Sequence, residues 1–132
     1  MIPEDIKAIS NFYEWVPEFI PRWEQYLKND ILEPEDEEYL SLYDFGQEFS
    51  EYIVEVFRNG NHNLLKKCFL AIENLCSDSD EYLSNTGHVG FVEALLILRS
   101  HKKIELDAFD EWMGEKSKIF WYQMHEYFTK GK

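Results

Sequence analysis

Nine carboxylates and not one Lys or Arg occupy the 25 positions from Glu33 to Phe57, EPEDEEYLSLYDFGQEFSEYIVEVF. Carboxylates can transfer protons from an apolar pocket that raises their pKa, ligate metal beside His or Cys, or meet a basic surface as a charged row. Proton transfer fits poorly. At 100° per residue, Glu37, Asp44, Glu48, Glu51 and Glu55 fall within roughly 40° of one line on a helix, opposite Leu42, Phe45, Phe49, Tyr52, Ile53 and Val56, which predicts a solvated stripe. Metal binding lacks ligands. His62, His88, His101 and His125 are scattered, and no His-x-x-x-His or Glu-x-x-His pair puts two ligands on one helix face, so no metal and no other cofactor is expected. The third use stays open: carboxylates about 5 to 6 Å apart along a helix can match lysines and arginines. A plain solvated face has the same pattern and stays open beside it.

Two tyrosines sharpen the binding reading. Tyr39 and Tyr43 fall off the apolar face and beside the stripe, and interfaces favour Tyr anchors in a charged surround. The expected partner-binding set is therefore Glu37, Asp44, Glu48, Glu51, Glu55, Tyr39 and Tyr43. Two further features could tempt a catalytic reading. Cys68 lies on an apolar helix face with no His within one turn, and Cys76, eight residues on, is about 12 Å away along the same helix, beyond disulfide reach. Both are read as buried thiols of a reducing, cytoplasmic compartment. Gly87 to Gly90, GHVG, could let a backbone approach an anion at a helix start. No Lys, Arg or phosphate-loop pattern accompanies it, so a helix start or close helix packing is expected. No catalytic residue is assigned, and the protein is not expected to be an enzyme.

Helices must position these groups. Pro3, followed by Glu4 and Asp5, opens a first helix with Ile6, Ile9, Phe12 or Tyr13, and Val16 at helical spacing, ended by Pro17. A second runs through Trp23, Tyr26 and Leu27. The acidic helix is predicted from Pro34 to the RNGN at Arg58–Asn61, and a fourth buries Leu64, Leu65, Cys68, Ala71, Ile72 and Leu75 up to SDSD. After a single turn at DEYLSN, a fifth is predicted from Gly87, with Val89, Val92, Leu95, Leu96 and Leu98 inward and Arg99, His101, Lys102 and Lys103 at its end. The last takes Asp107 as cap and places Phe109, Trp112, Met113, Ile119, Phe120, Met124 and Tyr127 inward, with Gly114 its weak point; whether Trp121 and Tyr122 face the core or a second subunit is open. No strand pattern or repeat occurs. The expectation is an all-α domain spanning residues 1–132, with five or six helices in an irregular antiparallel bundle or stacked helix pairs.

Charge narrows the partners. The 132-residue chain carries a net charge of −13, of which residues 1–57 hold −12. Such a half repels nucleic acid and anionic membranes and attracts a basic protein. No apolar run nears the ~20 residues of a membrane span, and Glu4 and Asp5 stand where a signal peptide would be basic. The central segment LLKKCFLAIENLCSDSDEYLSNTGHVGFVEALL, together with the acid-rich stretch before it, resembles the small acidic immunity proteins of bacterial polymorphic and contact-dependent toxin systems. That resemblance implies tight one-to-one binding of a cognate toxin, often a nuclease with a basic cleft, and no catalysis. The expected function is neutralisation of a basic toxin domain through the acidic helix face. The alternatives are a helical adaptor that docks a partner through an apolar groove and, less favoured, a small enzyme with its site near GHVG.

Overall fold

Apolar residues at three-to-four spacing fold into helices, and the computed structural model describes residues 1–30 and 40–130, which form an all-α structure without strands. Helix α1 (Pro3–Trp15) follows an extended Ile2, carries Pro3 in its first turn, and buries Asp5, Ala8, Ile9 and Phe12. Ile6, expected inward, is exposed, because the buried line runs through residue 5 instead. A 3₁₀ turn (Pro17–Phe19) leads into α2 (Ile20–Asp30).

Helix α3 spans Leu42–Arg58 and ends where Gly60 takes a φ of 73°. It begins later than the expected start at Pro34. The Pro34–Tyr39 stretch, with Glu37 and Tyr39, lies outside the described residues. The start is set by a capping box: the Asp44 carboxylate accepts from the Ser41 backbone N–H at 2.8 Å and from its hydroxyl at 3.1 Å. Helix α4 (His62–Cys76) follows, with the Asn61 side chain accepting from Leu64 N at 3.2 Å.

From Glu81 to His101 the chain is one continuous helical run: α5 (Glu81–Thr86), a π segment (Gly87–Glu93) and α6 (Ala94–His101). The start expected at Gly87 is at Asp80, whose carboxylate accepts from Leu83 N at 3.1 Å. Inside the run, i→i+5 bonding widens the turn and rotates the inward face. Gly87, Gly90, Phe91 and Val92 are therefore buried, while Val89, expected inward, is 43% exposed.

Helix α7 (Glu115–Lys130) begins eight residues later than the expected Asp107 cap, after a stretch of turns that still sends Phe109 and Met113 into the core. Its buried line passes through Ser117 and Trp121, so Ile119 and Tyr127, expected inward, are exposed. Trp121 faces the core, fully buried, and its indole N–H donates to the Leu106 carbonyl at 3.0 Å.

Buried side chains from α1 through α7 form one core. At its centre Phe12 packs against Phe45, Phe49 and Phe91 with ring centroids 5.1 to 5.3 Å apart. Burial of each such ring contributes roughly 1.5–3 kcal/mol, and well-placed aromatic pairs add about 0.5–1.5 kcal/mol. This crowding requires close backbones. A Cβ on Gly46 of α3 would lie 2.3 Å from the Gly90 carbonyl oxygen, so the two glycines let α3 and the π segment cross in contact. Among the described residues, no helix is long and apolar enough to cross a membrane.

Candidate binding surface

The acidic stripe of α3 folds as a helix face, but its members do different work. Asp44 is engaged in the capping box. Glu48 and Glu55, two turns apart, are bridged by one cation from α2: Arg22 Nε is 2.9 Å from Glu48 and its Nη1 is 2.5 Å from Glu55. Burial works against the Arg22 charge, yet the two carboxylates outweigh it and raise its pKa above the usual arginine range. The Glu51 side chain, half-buried between them, makes no hydrogen bond or ion pair among the described residues. Lys67 of α4 pairs with Glu18 at 2.7 Å, holding that carboxyl below its ordinary value through the hydrogen bond. The stripe is thus partly neutralised from within.

Tyr43 lies at the N-terminal end of this face and is 43% exposed. Its position follows from Gly90: a Cβ there would stand 3.1 Å from the Tyr43 ring and 3.3 Å from the Thr86 methyl, so the tyrosine rests against bare backbone. Tyr82 of α5 is also exposed, and its hydroxyl donates to Asp5 Oδ1 at 2.7 Å. Burial first, and then the Asp5 hydrogen bond, push the Tyr82 hydroxyl up to about 12. Asp5 itself is 2% exposed and accepts a second bond from Leu42 N, the first residue of α3, at 3.1 Å. One buried carboxylate therefore ties α1 to the positive end of α3 and to α5. The result is a pair of anchored, exposed tyrosines beside acidic α3.

The structure brings Tyr43, Asp44, Glu48, Glu51 and Glu55 together on α3; Glu37 and Tyr39 lie outside the described residues. Sequence reasoning missed Arg22, Tyr82 and Asp5. Asp44 alone had a local signal, the Ser-x-x-acid pattern of a capping box. The contacts of Arg22, Tyr82 and Asp5 span 26 to 77 residues and left no such signal.

The features first weighed for chemistry sit as packing groups. Gly87 lies against α4, where a Cβ would be 3.0 Å from Cys76 N, and His88 Nδ1–H donates to the Ser84 carbonyl at 2.8 Å while its ring meets Phe120 edge-on. Burial pushes the Cys68 and Cys76 thiols up to about 12, far from the range of a nucleophile. Among the described residues no group of three His, Cys, Asp or Glu side chains could hold a metal ion. An open cavity of about 500 Å³ is lined by Met113, Glu115, Lys118, Ile119 and Tyr122 on the opposite end of the chain.

A family model covers residues 9–128, nearly the whole chain, and its description is a domain of unknown function, DUF7674. The chain belongs to the DUF7674 family. No curated protein and no solved structure matches it significantly. The family match thus runs from within α1 to within α7 and includes Tyr43, Tyr82 and the α3 carboxylates, with no activity attached to them.

Proposed function

We propose that this DUF7674 protein acts by binding, without chemistry of its own, and that its partner is a basic protein, in the manner of a cytoplasmic immunity protein that neutralises a basic toxin domain. The observation that supports this reading is the pairing of exposed Tyr43 and Tyr82 with the acidic half of the chain, where residues 1–57 carry nearly all of the net charge of −13. Carboxylates speed the encounter and tyrosines supply contact area. A toxin whose cleft evolved to hold phosphates would present the matching cations.

The test is capture of partners from native lysate by the tagged protein at low and high salt, with identification by mass spectrometry. A stoichiometric basic protein that leaves at high salt, and that binds Tyr43→Ala/Glu51→Lys at least tenfold more weakly, is the expected result. A partner that tolerates both changes refutes the assignment of this surface. One observation favours a second reading: the cavity walled by Met113, Ile119 and Tyr122 would suit an adaptor that takes an apolar anchor. Binding insensitive to salt and lost in Ile119→Asp would select it.

A further inference from the structure

In a chain this acidic, the cleft between the ends of α6 and α7 has the opposite character. Its volume is about 230 Å³, roughly that of seven waters, and it is lined by Arg99, Ser100, His101 and His125 with Leu96 and Phe128 as apolar walls. Among the described residues no carboxylate lines it, and the neighbouring Glu126 is drawn to Lys130 at 3.1 Å. Arg99 is fixed at one end: its Nη1 donates to the Ile104 carbonyl at 3.2 Å. Its Nε–H is buried and has no partner among the described residues, the one side-chain polar atom there in that state. Buried donors are ordinarily satisfied, so an orphan beside a cationic cavity indicates a missing acceptor.

We propose that this cleft binds a small oxyanion, a carboxylate or phosphate group carrying a short apolar substituent. The guanidinium edge that includes Nε is the one that grips an oxyanion with two parallel hydrogen bonds, and a turn of the Arg99 side chain brings that buried edge to the cleft. The Ser100 hydroxyl and the His101 and His125 rings make no hydrogen bond to the described residues and are available as further donors, while Leu96 and Phe128 take the apolar part. The converging C-terminal helix ends would oppose an anion, but their carbonyls are largely engaged. Those of Leu98, Arg99 and Ser100 accept from the backbone of residues 102–104, and the Thr129 hydroxyl donates to those of His125 and Glu126. The cleft shares no lining residue with the tyrosine surface.

The test titrates inorganic phosphate and, separately, sodium butyrate into the full-length protein at constant ionic strength, with chloride as control, reading the ring resonances of all four histidines by NMR. Saturable shifts of His101 and His125, with His62 unmoved, are expected from at least one anion, and the stronger response distinguishes a phosphate from a carboxylate ligand. Arg99→Lys keeps the charge but loses the fork and should weaken binding at least tenfold; His125→Gln, which leaves the Arg99–Ile104 bond intact, should weaken it severalfold if the first variant does not fold. Shifts that match the chloride control, or binding unchanged in either folded variant, overturn the proposal.

Discussion

Glu73 and Gly114 set up a prediction of strong non-additivity. Gly114 precedes the first residue of α7 and accepts from Lys118 N at 2.9 Å, which makes it the N-cap, yet it has no side chain to cap with. Glu73 of α4 does so in its place: its carboxylate accepts from Lys116 N and Ser117 N, each at 2.9 Å, and from the Ser117 hydroxyl at 2.7 Å. These are the N–H groups that a cap residue ordinarily satisfies. A Cβ on Gly114 would lie 2.4 Å from the Glu73 carboxyl carbon, so the glycine is what lets Glu73 in. Glu73→Ala removes a cap, worth about 1 kcal/mol, and strands the donors of buried Ser117, worth roughly 1–3 kcal/mol. The expected loss is about 3 kcal/mol, or on the order of 10 °C in Tm. Gly114→Ala should lose a similar amount by expelling the carboxylate. In the Glu73→Ala background the same substitution meets no carboxylate: the lower unfolded-chain entropy favours it by about 0.4–1 kcal/mol, the poorer N-cap preference of Ala against Gly costs a similar amount, and the net change should be close to zero. Urea denaturation of the four proteins completes the double-mutant cycle. Additive losses would refute the cross-cap.

The same carboxylate makes a pH prediction. Burial alone would raise the Glu73 pKa, but the Ser117 and Lys116 hydrogen bonds outweigh it and hold the group below the ordinary value of 4.5. A depressed folded-state pKa gives stability that is present above the unfolded value and lost as pH falls through the folded one. The stability gap between wild type and Glu73→Gln should therefore be constant at neutral pH and close below about pH 4.5; a gap that persists at acid pH would refute this. Gly46→Ala should cost more than about 3 kcal/mol or prevent folding, because its Cβ meets the Gly90 backbone, whereas Gly90→Ala meets a Tyr43 ring that can turn and should cost about 1 kcal/mol by urea denaturation. Asp5→Ala leaves Leu42 N–H and the Tyr82 hydroxyl without their acceptor and should cost about 2–3 kcal/mol, with Tyr82 fluorescence reporting its release. Cys68 and Cys76 should react with a thiol reagent only as fast as the fold opens, and a reaction at the free-thiol rate would contradict their burial.

The parts of the fold legible in the sequence are those fixed by neighbours in the chain. The all-α class, the inward line of α3 through Phe45, Phe49 and Ile53, and the close of α3 at Gly60 each follow from spacing or a local cap. The errors arise where a contact from elsewhere resets the pattern. Gly114 read as a flaw inside a long helix because Glu73, 41 residues earlier, was not known to stand at that position. Val89 read as core because a regular helix was assumed through a segment that widens where Gly46 admits the Gly90 backbone. On the candidate surface, the grouping of Asp44, Glu48, Glu51 and Glu55 was legible from helical angle alone. The division of labour among them was not, since Arg22 reaches Glu48 and Glu55 across 26 and 33 residues.

That division decides how the acidic face could serve a partner. Glu48 and Glu55 are held by Arg22 in a fixed place, and a basic surface arriving at α3 must compete with that arginine or use what it leaves. The Glu48 side chain is only 19% exposed, so its pair with Arg22 is the stronger hold, while Glu55 at 55% is the one an incoming cation reaches first. Exposed pairs contribute about 0.2–1 kcal/mol, so Arg22→Gln should leave the fold intact while freeing two carboxylates and making the net charge more negative. If this face docks a basic partner, stopped-flow association at low salt should be severalfold faster for Arg22→Gln, and the difference should vanish at high salt, where screening removes long-range attraction. If Arg22 instead positions the two glutamates for the partner, the same variant should associate at an unchanged rate and dissociate faster. A variant indistinguishable from wild type in both rates would move the interface off α3 and leave its carboxylates as a solvated face.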